Sequence, residues 1–155
     1  FDMNSPDLDP VYCLCRERGR PMVIHAGREP KSEHYACDPY QICKAAKVEK
    51  ILKKYPGLKL CVPHLGFDEI EAYRHLIEEY DNLWLDTAMV VTDYFPQGDP
   101  NDFGEYRLDR IMYGSDYPNI PYAWDRELAW LSQAGLSEKE LDHVLYVNAC
   151  EFYGM

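Results

Sequence analysis

The sequence predicts an α/β fold on a parallel sheet of the barrel type, and three apolar runs carry that expectation. Pro21-Met22-Val23-Ile24 leads into His25, Leu58-Lys59-Leu60-Cys61-Val62-Pro63 into His64, and Arg110-Ile111-Met112-Tyr113-Gly114-Ser115 into Asp116. A buried parallel strand reads as a nearly continuous apolar run. In an α/β barrel the chemistry collects where such strands end, at the C-terminal face. Two imidazoles and a carboxylate far apart in the chain can therefore meet at one point.

The elements follow in order. Asp9-Pro10 reads as an N-cap followed by proline at the first helical position, and Gly19 stops that helix, with Val11, Leu14 and Cys15 expected to face inward. A strand over 21–25 comes next, then a long polar loop. Ala45, Val48, Ile51, Leu52 and Tyr55 recur at helical spacing until Pro56-Gly57 ends the helix. The strand toward His64 follows, then an amphipathic helix marked by Ile70, Tyr73, Ile77 and Tyr80, and a third strand over 82–87. Between Ala88 and Asp109, Pro96, Gly98, Pro100 and Gly104 predict an extended loop with at most a short helix, lying over the end of the third strand. The fourth strand covers 110–115 and a helix spans about 124–133. Ser137-x-x-Glu140 is a capping box that opens a final helix carrying Leu141, Val144, Leu145 and Phe152. Strand and helix alternate through residues 1–155 with no sign of a second domain.

Length conflicts with the barrel pattern. The chain has 155 residues, whereas a complete eight-stranded barrel usually needs roughly 250. It starts at Phe1, and its first ten residues lack the basic start and apolar core of a secretory signal. We therefore read it as part of something longer. No apolar stretch approaches the roughly 20 residues that span a bilayer, so a soluble protein without a membrane partner is expected. The net charge of -11 argues against nucleic acid, which needs clustered Lys and Arg. Lys44, Lys47, Lys50, Lys53 and Lys54 form the only basic run, and their spacing places them on the solvated side of a helix. The six cysteines include no CxxC pair and fit small buried side chains in a reducing cytoplasm.

The motifs together resemble a known family. Pro21-Met22-Val23-Ile24-His25-Ala26-Gly27, Pro63-His64-Leu65-Gly66, Asn82-Leu83-Trp84-Leu85-Asp86-Thr87 and Tyr113-Gly114-Ser115-Asp116-Tyr117-Pro118 occur in the order seen in the metal-dependent amidohydrolase superfamily. They are most similar to its branch related to aminocarboxymuconate semialdehyde decarboxylase. The ending Tyr146-Val147-Asn148-Ala149-Cys150-Glu151-Phe152-Tyr153-Gly154 resembles that branch's closing helix. The resemblance implies the second half of a (β/α)8 TIM barrel, strands five to eight, in a single domain over 1–155. Family members open with a His-x-His pair on strand one that supplies two metal ligands, and no such pair occurs here.

The resemblance also implies roles. His25 matches the strand-five metal ligand, and Asp116 matches the strand-eight aspartate that binds metal and moves a proton. His64 matches the strand-six histidine that polarises substrate or orients water. One divalent metal ion is implied, with zinc the first guess and manganese suited to the same mixed nitrogen and oxygen donors. Arg28 is a candidate substrate contact, where a guanidinium could pair with a carboxylate; the alternative is a surface ion pair with Glu29 or Glu33. Asp86 faces the pocket or merely bonds backbone amides. His34 reads as solvated loop, His75 and His143 as structural or exposed, Asn148 as a brace for the last helix, and Trp84 and Trp124 as core.

Three functions from different classes follow. The first is a metal-dependent hydrolase acting through an activated water on a small carboxylated or cyclic organic molecule. A non-oxidative decarboxylase using the same metal and aspartate is its close alternative. The second is a non-catalytic half-barrel that serves as a binding or assembly module. The third is a partial chain that completes its barrel with another copy of itself or with a missing N-terminal half, because open sheet edges invite pairing.

Overall fold

A computed structural model describes residues 2–27, 33–34, 36–92 and 100–155. Four strands, β1 (Met22–Val23), β2 (Leu60–Val62), β3 (Leu83–Asp86) and β4 (Ile111–Met112), form one sheet in the order β1-β2-β3-β4. All three pairings are parallel, as the apolar runs predict. The helices are α1 (Asp9–Glu17), α2 (Pro39–Ile42), α3 (Ala45–Lys54), α4 (Ile70–Glu79), α5 (Arg126–Leu131), α6 (Glu138–Asp142) and α7 (Asn148–Tyr153). A 3₁₀ stretch His64–Glu69 joins β2 to α4, two more at Pro100–Glu105 and Leu108–Arg110 precede β4, and a π-helical turn His143–Val147 fuses α6 to α7.

Period-two alternation sorts the strand residues onto two faces. Leu60, Val62, Leu83, Leu85 and Ile111 point to one face, where the buried sides of the helices meet them: Val48, Ile51 and Leu52 from α3, Tyr73 and Ile77 from α4, and Leu131 from α5. The sheet's other face carries Cys61, Trp84 and Met112, and among the described residues Phe152 and Ala149 of α7 pack on it, the Phe152 ring 5.3 Å from that of Trp84. At β1 none of the described residues covers this second face, and Val23, paired with Cys61, is 53 % exposed. In a closed barrel this is the inner face, filled by side chains from the opposite strands.

Most helices form where the periodicity places them, and the Ser137/Glu140 capping box is present in both directions. The basic run is solvated, with Lys47, Lys53 and Lys54 paired to Asp2, Glu49 and Asp9. Helix α1 is a correction. Leu8 is its N-cap, and Asp9 lies inside it, bonded to Lys54 and to the Tyr55 hydroxyl. Its buried residue is Tyr12, whose hydroxyl donates to the Met3 carbonyl at 2.8 Å, while Val11 and Leu14 are 45 % and 50 % exposed. Cys15 remains half-buried against the core. The apolar stripe read from Val11 and Leu14 is real but has no partner among the described residues. All six cysteines are free thiols, with Cys61 buried and Cys37 exposed. Among the described residues, no helix is long and apolar enough to cross a membrane.

Among the described residues no strand pairs with the outer edges of β1 or β4, and unpaired edges beside exposed apolar side chains favour association. Residues 1–155 expressed alone are therefore expected to sediment as oligomers or aggregates. A monomer with cooperative thermal unfolding would contradict the open-sheet reading.

Candidate active site

The ends of β1, β2 and β4 bring the three sequence-selected residues to one rim of the sheet. Beyond β1 the ladder continues, as the Ile24 N–H donates to the Cys61 carbonyl at 2.9 Å, and this delivers His25 next to the end of β2. The rings of His25 and His64 lie edge to face with centroids 5.1 Å apart. His25 is exposed and His64 buried. The His64 Nδ1 lies 2.9 Å from the Ala88 carbonyl oxygen, which can only accept, so Nδ1 carries the proton and Nε2 is left for chemistry.

Asp86, the last residue of β3, joins these ends. Its Oδ1 accepts the backbone N–H of His64 at 3.0 Å and that of Ala88 at 3.1 Å. Burial raises the pKa of this carboxyl, the hydrogen bonds from the His64 and Ala88 N–H groups oppose the rise, and the charge of Asp116 adds to it. The sequence left Asp86 between a pocket residue and a bonder of backbone amides; it is the latter, placed directly beside the site. Gly114 of the β4 end packs against it, and a methyl group there would sit 3.1 Å from Asp86 Cγ and 3.3 Å from Ala88 Cβ. The Thr87 hydroxyl accepts from the Gly114 N–H at 3.2 Å and donates to its carbonyl at 3.4 Å.

Backbone strain gathers at the same rim. His64, Leu65 and Phe67 have φ of 60°, 49° and 55°, Met89 has 65° and Asp116 has 59°. Left-handed conformations of non-glycine residues cost on the order of 1–3 kcal/mol each and cluster at functional sites. Gly66, at φ 81°, belongs to the first group, and a side chain there would overlap the Tyr73 ring. Tyr73 closes that turn by donating to the Ala26 carbonyl at 2.5 Å, one residue after His25.

Asp116 is exposed and opens a loop with a cis Tyr117–Pro118 bond. Beside it lies an open cavity of about 310 Å³ lined by Ser115, Tyr117 and Trp124. Trp124 is 56 % exposed, so its assignment to the core is corrected: it lines the open cavity beside Asp116. Arg28 lies outside the described residues. His34 is exposed, and His75 is exposed with Glu79 3.7 Å away. Asn148 is fully buried and donates to the Leu108 and Ile111 carbonyls at 2.6 and 2.7 Å, which braces the last helix on β4 as expected.

The donor chemistry fits a divalent ion, because His25, His64 and Asp116 offer imidazole and carboxylate groups at one rim. The number is short. Among the described residues no three such side chains close a metal-holding group by themselves, and a catalytic zinc takes three protein ligands plus an open position. The rim thus offers His25 and Asp116 as exposed donor groups, short of a complete ligand set.

Sequence reasoning missed the buried Glu127 of α5, whose Oε1 accepts the Met89 N–H at 3.2 Å and the Tyr122 hydroxyl at 2.5 Å. No signal in the sequence marks it, since a Glu in the first turn of a helix is ordinary.

The amidohydrolase family model matches residues 1–155, the whole chain. Three solved structures similar to it are an uncharacterized TIM-barrel protein from Bordetella bronchiseptica (18 % identity, TM-score 0.80, 99 % of this chain and 52 % of that one), dihydroorotase from Campylobacter jejuni (19 %, 0.65, 100 % and 56 %) and a dihydroxybenzoic acid decarboxylase from Polaromonas with bound manganese (17 %, 0.65, 99 % and 55 %). At these identities they show the fold: an α/β parallel sheet that is part of a TIM barrel. The chain spans about half the length of these structures. No curated protein matches it.

If the rim holds the metal, His25→Ala and Asp116→Ala in the intact protein are each expected to remove most of one bound divalent ion, measured by elemental analysis after dialysis. Full metal in both variants would overturn the assignment.

Proposed function

We propose, since this chain belongs to the amidohydrolase family, that it forms the strand-five-to-eight part of a metal-dependent hydrolase acting on a small carboxylated or cyclic organic substrate. The family is metal-dependent. The observation that carries the reading is the pair of His25 and His64 rings 5.1 Å apart, with the His64 Nδ1–H spent on Ala88 and Asp116 in the loop that follows β4, the strand paired with β3. His25 and Asp116 would hold the ion from this side, and zinc or manganese suits such donors. When bound, a divalent ion lowers the pKa of water to about 7 and polarises a carbonyl.

The chain's own residues do the rest. His64 presents Nε2, an acceptor in this tautomer, to substrate or to the attacking water and orients it. Asp116, exposed at the rim, takes the proton released by that water and returns it to the leaving group. The left-handed backbone of both residues aims side chains that a regular strand end would send elsewhere. Arg28 remains a proposed contact for a substrate carboxylate.

Decarboxylation uses the same residues, with Asp116 in its protonated form giving its proton to the ring carbon as the carbon–carboxyl bond breaks and the carboxyl group leaves as carbon dioxide. The cavity lined by Tyr117 and Trp124 beside Asp116 favours this second reading for a flat ring acid. For either reaction, the open edges of β1 and β4 and the uncovered face at Val23 support completion of the barrel by an N-terminal half or by a second copy of the chain.

In the intact enzyme His64→Asn is expected to retain metal while kcat falls on the order of 10²-fold or more, and Asp116→Asn to cost more because Asp116 has two roles. Substrates come from a screen of small carboxylic acids and lactones, with released carbon dioxide separating decarboxylation from hydrolysis. Full activity with full metal in His64→Asn would reduce His64 to a structural residue.

A further inference from the structure

We propose that Glu127 is a positioning residue for His64, acting through the single peptide group that joins Ala88 to Met89. The N–H of that peptide donates to Glu127 Oε1 at 3.2 Å, and its carbonyl lies 2.9 Å from His64 Nδ1. The bond is trans, so its N–H and C=O point in opposite directions. Carboxyl, peptide and imidazole therefore form one line of hydrogen bonds, reaching from α5 across the end of β3 to the end of β2.

Such a line does two things. Each bond polarises the next, so an acceptor on the Met89 N–H makes the Ala88 carbonyl a better acceptor for His64. It also fixes the plane of the peptide, and with it the ring orientation and the Nδ1–H tautomer that leaves Nε2 facing the site. Met89 is held from both sides. Its left-handed φ of 65° aims the peptide, and the Thr92 hydroxyl donates to its carbonyl at 3.2 Å. Burial pushes the Tyr122 phenol up to about 12, which keeps it a donor to the same Glu127 oxygen.

The arrangement is poorly explained as a device for stability. Glu127 is 0 % exposed, and its other oxygen, Oε2, is buried with no hydrogen-bond partner among the described residues. An apolar side chain would fill that volume without stranding a polar atom. A buried carboxyl with half its acceptors unspent, aimed at the one peptide that holds a candidate catalytic histidine, is what a positioning role requires.

The inference rests on the reading of His64 as a catalytic group, but its test needs no substrate. The intact, zinc-loaded protein is labelled with nitrogen-15 in histidine, and the tautomer of His64 is read from long-range proton–nitrogen spectra, with His64→Asn giving the assignment. The wild type should show the Nδ1–H tautomer alone. In Glu127→Leu it should give way to a mixture with the Nε2–H form, whereas Glu127→Gln, which keeps an oxygen for the Met89 N–H, should preserve it. A folded Glu127→Leu protein with an unchanged Nδ1–H tautomer would overturn the proposal, as would an Nε2–H tautomer in the wild type. Should the leucine variant not fold, hydrogen exchange of the Met89 amide in the wild type decides. Slowing by about 10²-fold or more relative to unstructured chain is expected, and exchange near the unstructured rate would overturn it. Loss of the catalytic reading, through a fully active His64→Asn enzyme, would leave these tautomer results standing.

Discussion

One carboxyl oxygen holds the strand ends together. Asp86 Oδ1 accepts the N–H of His64 from the end of β2 and that of Ala88 from its own loop, and Gly114 at the end of β4 lacks a side chain where one would press on it. Parallel strands align their backbones but do not determine where the chain goes once pairing stops. That task falls to this side chain. Burying it is unfavourable, as its raised pKa records, and the two amide bonds offset part of the cost. His25 then joins through its contact with His64.

The strained residues make sense around that point. His64, Met89 and Asp116 each start or sit in the loop beyond a strand, and each lies in left-handed backbone that the surrounding contacts enforce. Tyr73 packs over Gly66 and ties the β2 turn to Ala26, Glu127 and Thr92 clamp Met89, and the Asn119 N–H donates to the Asp116 carbonyl at 2.8 Å. Favourable packing lies on the opposite side of the sheet, in the dense layer between the strands and α3, α4 and α5. The rim is thus the place where folding energy is given up, and it is also where His25 and His64 meet.

The parallel sheet, most helix positions and the meeting of His25 with His64 beyond β1 and β2 were legible because they rest on periodicity and on strand-end residue types. Other features were hidden for physical reasons. The stripe of Val11 and Leu14 promised a buried face, but in an open sheet its partner is absent from the described residues, so Tyr12 is buried instead. Trp124 looked like core because large aromatics usually bury, yet it lines the cavity beside Asp116. Asp86 was left between a pocket residue and an amide bonder, and that one of its bonds crosses to His64 was hidden because that partner is 22 residues away. Glu127 gave no sign at all. Its role depends on which peptide lies opposite its carboxyl, and that is settled only by how α5 docks under the loop after β3.

The account stands on Asp86 as the common anchor of the strand ends, and residue-resolved hydrogen exchange on the intact Asp86→Ala protein tests it most directly. The amides of His64 and Ala88 should lose protection together, while that of Leu60, bonded within the sheet to the Asn82 carbonyl, keeps its own. Unchanged protection at His64 and Ala88 in the variant would contradict the account, because the strand ends would then be held by something other than the carboxyl of Asp86.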